Sequence, residues 1–455
     1  MNAPGGAGGT RRRGVRTGMI IAAGVVVLGG IGLALLIFSG GGRTYPTTPE
    51  GWAARWNAAA AEFGRTPGEN WDLWLDVLSE IEGETDPAIV GPALDRMSGV
   101  HTVTVPIPVS IRTPTVLDDM LPQVGDIRDV LRAAVLPQIE ASLESGDTDA
   151  AAEWIGRAWS LARVSDASGT LIGGLVQTAV IAATLETVRP HIRLAGAAGN
   201  RLAVVIADAP LTGTAWSLRM ERELGLMLIQ ELAGDNLLIA GDQAATYEEL
   251  MLDWALYEST GDPEALARVT AVFSRLQNSR LYALRRPGLD LILPAVDKAR
   301  RTFRAVRTER DALLVMLALE RFWDEQGSYP HALDQLVPEQ LAAIPADPFA
   351  DNAPLRYRLV DPDSDDPMTA YVLYSVGHNG TDEGGTENPS LVGRGLTDPD
   401  HGADHILNRL PPPPPPARPS GIIEDDPEYQ PDEQPDEQPA DQADEQPGNP
   451  AEAVP

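Results

Sequence analysis

Oxygen-bearing side chains cluster in one glycine-rich stretch near the end of the chain, "VGHNGTDEGG" at residues 376–385. Asn379, Asp382 and Glu383 lie in this loop, and Asp404 follows on an expected return strand. Calcium binds six to eight oxygen atoms from carboxylates, amides and backbone carbonyls, and glycines let the carbonyls turn inward. These residues could supply oxygen ligands to calcium. The alternative is a solvent-exposed turn that holds no metal.

Two histidines near the loop raise the alternative of zinc. His401 and His405 are four residues apart beside Asp400 and Asp404, which on a helix would place both imidazoles on one face. Gly402 lies between them, however, and the glutamate that accompanies such a pair in zinc hydrolases is missing. We therefore expect no zinc at this position.

The rest of the chain shows no recognisable catalytic pattern. Nucleophile elbows, phosphate-binding loops and dinucleotide fingerprints lack their required spacing. The absence of cysteine excludes disulfides, thiolate metal sites and a cysteine nucleophile. The only lysine, Lys298, lies in an arginine-rich helical run, where a solvated helix face is expected. We predict no enzymatic activity, although catalysis by paired carboxylates stays open as an alternative.

The charge of the chain argues against a nucleic-acid partner. The formal net charge is −31, and binding of phosphates requires a lysine- and arginine-rich surface. About a dozen of the carboxylates lie in the last 35 residues, within a proline-rich tract from 411 to 455. Such a segment buries too little apolar surface to fold, so we predict a disordered tail.

An apolar run near the N-terminus has the length of a membrane span. Residues 19–38, "MIIAAGVVVLGGIGLALLIF", carry no charge, and about 20 residues at 1.5 Å each cross a hydrocarbon core of ~30 Å. Four arginines precede the run within the basic segment 1–18, and only Arg43 follows closely. The positive-inside rule then places the N-terminus in the cytoplasm. We predict an uncleaved single-pass anchor, with cleavage as the alternative.

The long middle part, residues 43–305, is expected to be all-helical and extracytoplasmic. Apolar residues recur there at three- and four-residue spacing between turn-forming segments. In "NWDLWLDVLSEI" the predicted buried stripe comprises Trp71, Trp74, Leu75, Val77, Leu78 and Ile81. Residues 100–111 are predicted as a strand or extended segment, and a long helix is predicted from about Pro294 to Gln326. The fold class is therefore mostly α, and a small α+β module follows at 306–410.

The module resembles the soluble part of the major pseudopilin of type II secretion. A helix is followed by "GSYPHALDQLVPEQLAAIPADPF", then "PLRYRL", then "YVLYSVGHNGTDEGG". The matching positions are Tyr329, Pro330, Leu333, Leu336, Pro345, Asp347, Pro348, Phe349, Tyr357, Leu373, Tyr374, Ser375, Gly377, Gly380, Asp382 and Gly384. The chain is also similar to membrane-anchored proteins of bacteria such as planctomycetes, which place this module behind an unrelated helical region.

The resemblance implies calcium and its ligands. By position, the Val376 carbonyl and the Asn379 side chain match the first ligands of the family, and Asp382 and Asp404 match the later carboxylates. Asn379 stands where the family commonly has aspartate, and the loop before Asp404 is longer, so a weaker site is expected. Asp398 or Asp400 could take the place of Asp404.

The chain as a whole does not match a pilin subunit. Gly18 and Met19 mimic a prepilin cleavage site, but Ala23 stands where prepilins have glutamate, and "SGGG" at 39–42 interrupts the apolar helix. We expect a protein of the bacterial inner membrane, its bulk in the periplasm, with a structural or interaction role linked to envelope or secretion proteins. The alternative is a ligand-binding or hydrolytic helical domain that carries an accessory pilin-like module.

Overall fold

The computed structural model describes residues 45–46, 48–106, 124–193, 200–211, 213–233, 237–280, 282, 289–386 and 404–409. The predicted segments at 1–18 and 19–38 and the tail at 411–455 lie outside these residues, as do Asp398, Asp400 and His401. Within the described part, the one helix long and apolar enough to cross a membrane is Leu171–His191. Of its apolar window, 56% is buried inside the protein.

The described chain is mostly helical, as the apolar periodicity predicts. The helices are α1 (Pro49–Ala61), α2 (Trp71–Ile81), α3 (Pro87–Asp95), α4 (Val124–Val130), α5 (Leu136–Glu144), α6 (Thr148–Ser165), α7 (Leu171–Val188), α8 (Asn200–Ala207), α9 (Thr214–Ala233), α10 (Leu237–Thr260), α11 (Pro263–Asn278), α12 (Leu289–Gln326) and α13 (Pro367–Ala370). A π-helical turn, Leu131–Val135, joins α4 to α5, and 3₁₀ turns lie at Arg189–His191 and Leu333–Leu336.

A small antiparallel sheet follows α12. Its strands are β1 (Arg356–Leu359), β2 (Tyr371–Ser375) and β3 (His405–Ile406), in the order β1-β2-β3. Tyr357 pairs with Leu373 across β1 and β2, and Ser375 pairs with His405 across β2 and β3. The end of β2, from which the glycine-rich loop continues, is thereby paired with β3.

Side-chain caps explain where several helices begin. Thr48, Asp86, Asp147, Thr170 and Asp262 each accept a hydrogen bond from a backbone N–H of the first turn that follows. These N–H groups have no partner inside the helix, so a side-chain oxygen at this position stabilises the helix by about 1 kcal/mol. Local sequence thus specifies these helix starts.

Helix α2 confirms five of the six residues predicted for its buried stripe. Trp71, Trp74, Val77, Leu78 and Ile81 are buried, whereas the side chain of Leu75 is 38% exposed. At 100° per residue, Leu75 points to the edge of the stripe rather than to its centre. The prediction that Leu75 is a core residue was wrong.

The structure decides between two alternatives at 100–106 and moves one predicted helix start. Residues 101–106, the described part of the segment 100–111, form no strand: Thr104 N–H donates to Glu69 O, and Val105 N–H donates to Ala167 O. The segment is an extended connection between helix turns. Helix α12 begins at Leu289 instead of Pro294, so Pro294 lies inside the helix, where its ring removes one backbone hydrogen bond.

Helix α12 contributes to two hydrophobic cores. Leu289 and Phe303, near its start, pack into a core built with α1, α9, α10 and α11. Leu313 and Leu317, further along, pack into a core that contains residues of α2 to α8 and also of the sheet, such as Leu373. The boundary predicted at 305/306 therefore falls within one continuous helix that serves both regions.

Candidate functional site

Asp347 fixes the start of the glycine-rich loop 376–386. Its buried carboxylate accepts hydrogen bonds from Phe349 N–H (3.0 Å), Ser375 Oγ (2.9 Å) and Val376 N–H (3.0 Å). The first lies in the turn of Asp347 itself, and the other two lie at the end of β2. Because one carboxylate joins the two segments, the loop leaves the sheet in a defined direction.

Glycines hold the middle of the loop in conformations that other residues rarely adopt. Gly384 has φ 77° and Gly385 has φ 69°, both in the left-handed region. At Gly385 a Cβ atom would lie 3.0 Å from the ring of Tyr374 and from Val372. The loop therefore packs directly onto β2, and its N–H groups turn toward the acidic side chains.

The predicted ligands Val376, Asn379 and Asp382 lie in this loop with partners of their own. Asn379 Oδ1 accepts from Thr381 N–H at 2.9 Å. Asp382 Oδ1 accepts from Tyr374 OH at 3.0 Å and from Gly384 N–H at 2.9 Å. Val376 is buried at the end of β2. Oxygens that accept such bonds keep further lone pairs.

A guanidinium group also lies beside the loop. Arg356 Nε on β1 is 3.3 Å from Asp382 Oδ2, and both side chains are partly exposed. Arg356 pairs with Tyr374 across the sheet, which places it over the loop. A cation bound to Asp382 would have to compete with this positive charge.

Asp404 is the predicted ligand with the most unusual surroundings. Its side chain is almost fully buried; Oδ2 accepts from Gly385 N–H at 2.7 Å, and Oδ1 is buried without a hydrogen-bond partner. Burial raises the pKa of Asp404 to about 6, and the carboxylates of Glu383 and Asp382 add to this rise. A buried carboxylate oxygen that faces other carboxylates and lacks a donor fits a cation.

The described ranges contain no group of three or more His, Asp or Glu side chains arranged to hold a metal ion. A cation at this loop would therefore depend on Asp382 and Asp404 together with amide and backbone oxygens. Calcium accepts that mixture of ligands, whereas zinc prefers imidazole and thiolate groups. The orphaned Oδ1 of Asp404 and the donor set together fit calcium.

Asp404 belongs to a short segment, residues 404–409, that we call the closing segment. Leu407 N–H donates to Leu373 O at 2.8 Å. Asn408 Oδ1 accepts from Leu373 N–H at 3.1 Å, and its Nδ2 donates to Tyr371 O at 2.8 Å and to Pro367 O at 2.9 Å. Asn408 is buried, so these bonds satisfy an amide that would otherwise be costly to bury.

The closing segment also contacts the helical part of the chain through an ion cluster. His405 Nε2 lies 3.0 Å from Glu309 Oε1 on α12, and Arg189, after α7, donates to Glu309 Oε2. Burial raises the pKa of Glu309, but Arg189 and His405 outweigh it and lower the pKa to about 2. Glu309 is therefore a charged carboxylate with two cationic or hydrogen-bonding partners.

Sequence reasoning missed Glu309, Arg189 and Asn408. His405 and Glu309 lie 96 positions apart, and no local spacing relates them. Glu309 stands in the arginine-rich run "RAVRTER", which is typical of a solvated helix face. A carboxylate between arginines was the only available hint.

Tyrosines of the module pack near one buried carboxylate, Glu320. Tyr329 OH donates to Glu320 Oε1 at 2.8 Å, and the ring of Tyr329 lies 5.1 Å from that of Tyr371. Tyr357 OH donates to Pro330 O at 2.8 Å. Burial raises the pKa of Glu320 to about 7. These contacts join α12 to the sheet.

A shallow, open groove of about 600 Å³ lies between α6 and α8. Its lining residues are Ala152, Arg201, Val204, Val205, Ala207 and Asp208. The charged groups of the groove already have partners: Arg201 pairs with Asp149, and Asp208 pairs with Arg163. The groove therefore lacks a set of free polar groups that converge on a ligand.

Comparison with protein-family models, with curated proteins and with solved structures found no match to this chain.

Proposed function

We propose that this protein is a membrane-anchored extracytoplasmic component of the bacterial inner membrane with a non-catalytic, structural or interaction role. Its N-terminus lies in the cytoplasm and its bulk in the periplasm. The pseudopilin-like module links it to machinery of the type II secretion kind, and calcium orders the loop of that module. The observation that carries the calcium part is the buried, unpartnered Oδ1 of Asp404 beside the glycine-rich loop.

Bound calcium supplies positive charge among Asp382, Glu383 and Asp404, which offsets the repulsion between these carboxylates. The packing of the helical cores supports a structural role. Both cores consist of buried aliphatic and tryptophan side chains such as Trp74, Trp159 and Trp254. Such cores stabilise a scaffold.

Thermal unfolding of the full-length chain in detergent, with calcium and with EDTA, tests the calcium part. At a calcium concentration about 100 times Kd, binding adds about 2.7 kcal/mol to the free energy of unfolding. We expect the melting temperature to rise by a few degrees with calcium. The rise should disappear in Asp382→Ala, whose side chain is 42% exposed.

Asp363→Asn is the matched control, because Asp363 is an exposed carboxylate of the same module outside the loop. It should keep the full calcium response. A wild-type chain that melts at the same temperature in calcium and EDTA would refute the calcium site and leave the loop as a plain turn.

The groove between α6 and α8 motivates the second candidate, a helical domain that binds a small ligand. Val204 is 65% exposed there, which offers an apolar contact surface. Screening small molecules for thermal stabilisation of wild type and of Val204→Asp separates the two candidates. A ligand that stabilises only the wild type would favour the binding domain.

A further inference from the structure

We propose that Glu309 and Arg189 are positioning residues for the cation site: through the closing segment they hold Asp404 in place, so that cation binding and docking of this segment strengthen each other. The inference rests on the proposed function, because it requires that the loop bind calcium. It goes beyond that proposal by assigning a role to residues of the helical body that touch no ligand.

The first step concerns two adjacent residues that face different parts of the protein. The Asp404 carboxylate accepts from Gly385 N–H in the loop, and the next side chain, His405, contacts Glu309 on α12. Neighbouring Cα atoms are 3.8 Å apart, so a shift of His405 moves Asp404 with it. The cation loop and the helical body are therefore joined across one peptide bond.

The second step concerns how firmly the rest of the segment is held. β3 is only two residues long, and Ser375 pairs with His405 in it. On the far side, Leu407 and Asn408 bond to Leu373. Beyond the sheet, the side chain of His405 contacts Glu309 on α12, and Arg189 donates to the same carboxylate.

The third step concerns reciprocity. If docking of the segment improves the position of Asp404 for a cation, the cation must improve docking by the same factor. Coupling between sites is commonly 5- to 150-fold in affinity. We expect the lower end of this range, because the sheet bonds of the segment remain in every variant.

Isothermal titration of calcium into the full-length chain in detergent tests the inference, with wild type, Glu309→Gln and His405→Leu. We expect calcium to bind about 5- to 20-fold more weakly to both variants. The two changes differ in charge: Glu309→Gln removes a negative charge, whereas His405→Leu removes no negative charge. A simple loss of electrostatic attraction would weaken only the first, whereas loss of positioning weakens both.

Asp365→Asn is the control. Asp365 lies 3.6 Å from Arg193, so this pair also joins the module to the helical body, but outside the closing segment. The Asp365→Asn variant should bind calcium with the affinity of the wild type.

Hydrogen exchange at the Leu407 amide gives a second readout. Calcium should slow this exchange in the wild type and slow it less in Glu309→Gln.

The outcomes are distinct. If the wild type binds no calcium, the proposed function and this inference both fall. If the wild type binds calcium and His405→Leu binds it with the same affinity, within about twofold, the inference alone is overturned. If Glu309→Gln loses its far-ultraviolet circular dichroism signal, His405→Leu still decides, since it keeps both Arg189 and Glu309.

Discussion

At the scale of single residues, the half-buried Glu309 and the buried Glu320 on helix α12 have opposite pKa shifts. Arg189 and His405 outweigh burial at Glu309 and lower its pKa to about 2. At Glu320 burial prevails over the hydrogen bond from Tyr329 and raises the pKa to about 7. Glu309 therefore contributes stability above pH 4.5 that is lost as the pH falls toward 2. Glu320 contributes stability below pH 4.5 that is lost as the pH rises through 7.

Glu320→Gln should stabilise the protein at high pH. The folded state binds the proton of Glu320 more tightly than the unfolded state, whose pKa is about 4.5, so stability falls as the pH rises from 4.5 through 7. A shift of this size corresponds to at most about 3 kcal/mol. Glutamine keeps an acceptor for Tyr329 OH and removes the charge. Thermal unfolding should show Glu320→Gln above the wild type at pH 8 and equal to it at pH 4.5.

The exposed Glu339 provides the comparison, because Glu339→Gln should change the melting temperature little at either pH. A Glu320→Gln variant that is less stable than the wild type at pH 8 would mean that the charged carboxylate contributes favourably, against its burial.

At the scale of elements, periodicity predicted the helices but not which of them touch. The stripe in "NWDLWLDVLSEI" yields α2 because 3.6-residue spacing is a local property. Leu75, at the edge of that stripe, depends on how wide the neighbouring surface is, and only the tertiary fold decides this. The contact of Glu309 with His405 also depends on the tertiary fold, so the sequence did not predict it. The loop residues from Asn379 to Gly385 are close in sequence and could therefore be recognised as a cluster.

The contact between α9 and α10 depends on a glycine. A Cβ atom at Gly225 would lie 2.3 Å from the hydroxyl oxygen of Tyr247, and this hydroxyl is held by a hydrogen bond to Glu221 O at 2.9 Å. Because the ring cannot move without losing that bond, we expect Gly225→Ala to lower the free energy of unfolding by about 1–3 kcal/mol. Urea denaturation followed by circular dichroism measures the change.

Gly156 on α6 is the matched helical glycine, since a Cβ atom there has no atom within 4 Å. Gly156→Ala should stabilise the protein by about 0.5–1 kcal/mol, because alanine favours a helix more than glycine does. Equal effects of the two substitutions would contradict close packing at Gly225.

At the scale of the whole described body, the module is continuous with the helices. Leu373 of the sheet and Trp74 of α2 belong to one core, and α12 links this core to the second. The resemblance in the sequence covers only the module and does not show this continuity. Shared core residues and a shared helix mean that loss of the sheet exposes apolar surface of the helical part as well.

Asp347→Asn should therefore destabilise the helical part together with the module. The substitution weakens three hydrogen bonds of a buried carboxylate, which we expect to cost about 3 kcal/mol. Eight of the nine tryptophans lie before residue 306, where the module begins, so tryptophan fluorescence reports mainly on the helical part. The tryptophan-detected melting temperature should fall by several degrees, while Asp351→Asn, an exposed neighbour, should leave it unchanged. If the tryptophan-detected melting temperature of Asp347→Asn equals that of the wild type, the shared core does not couple the two regions.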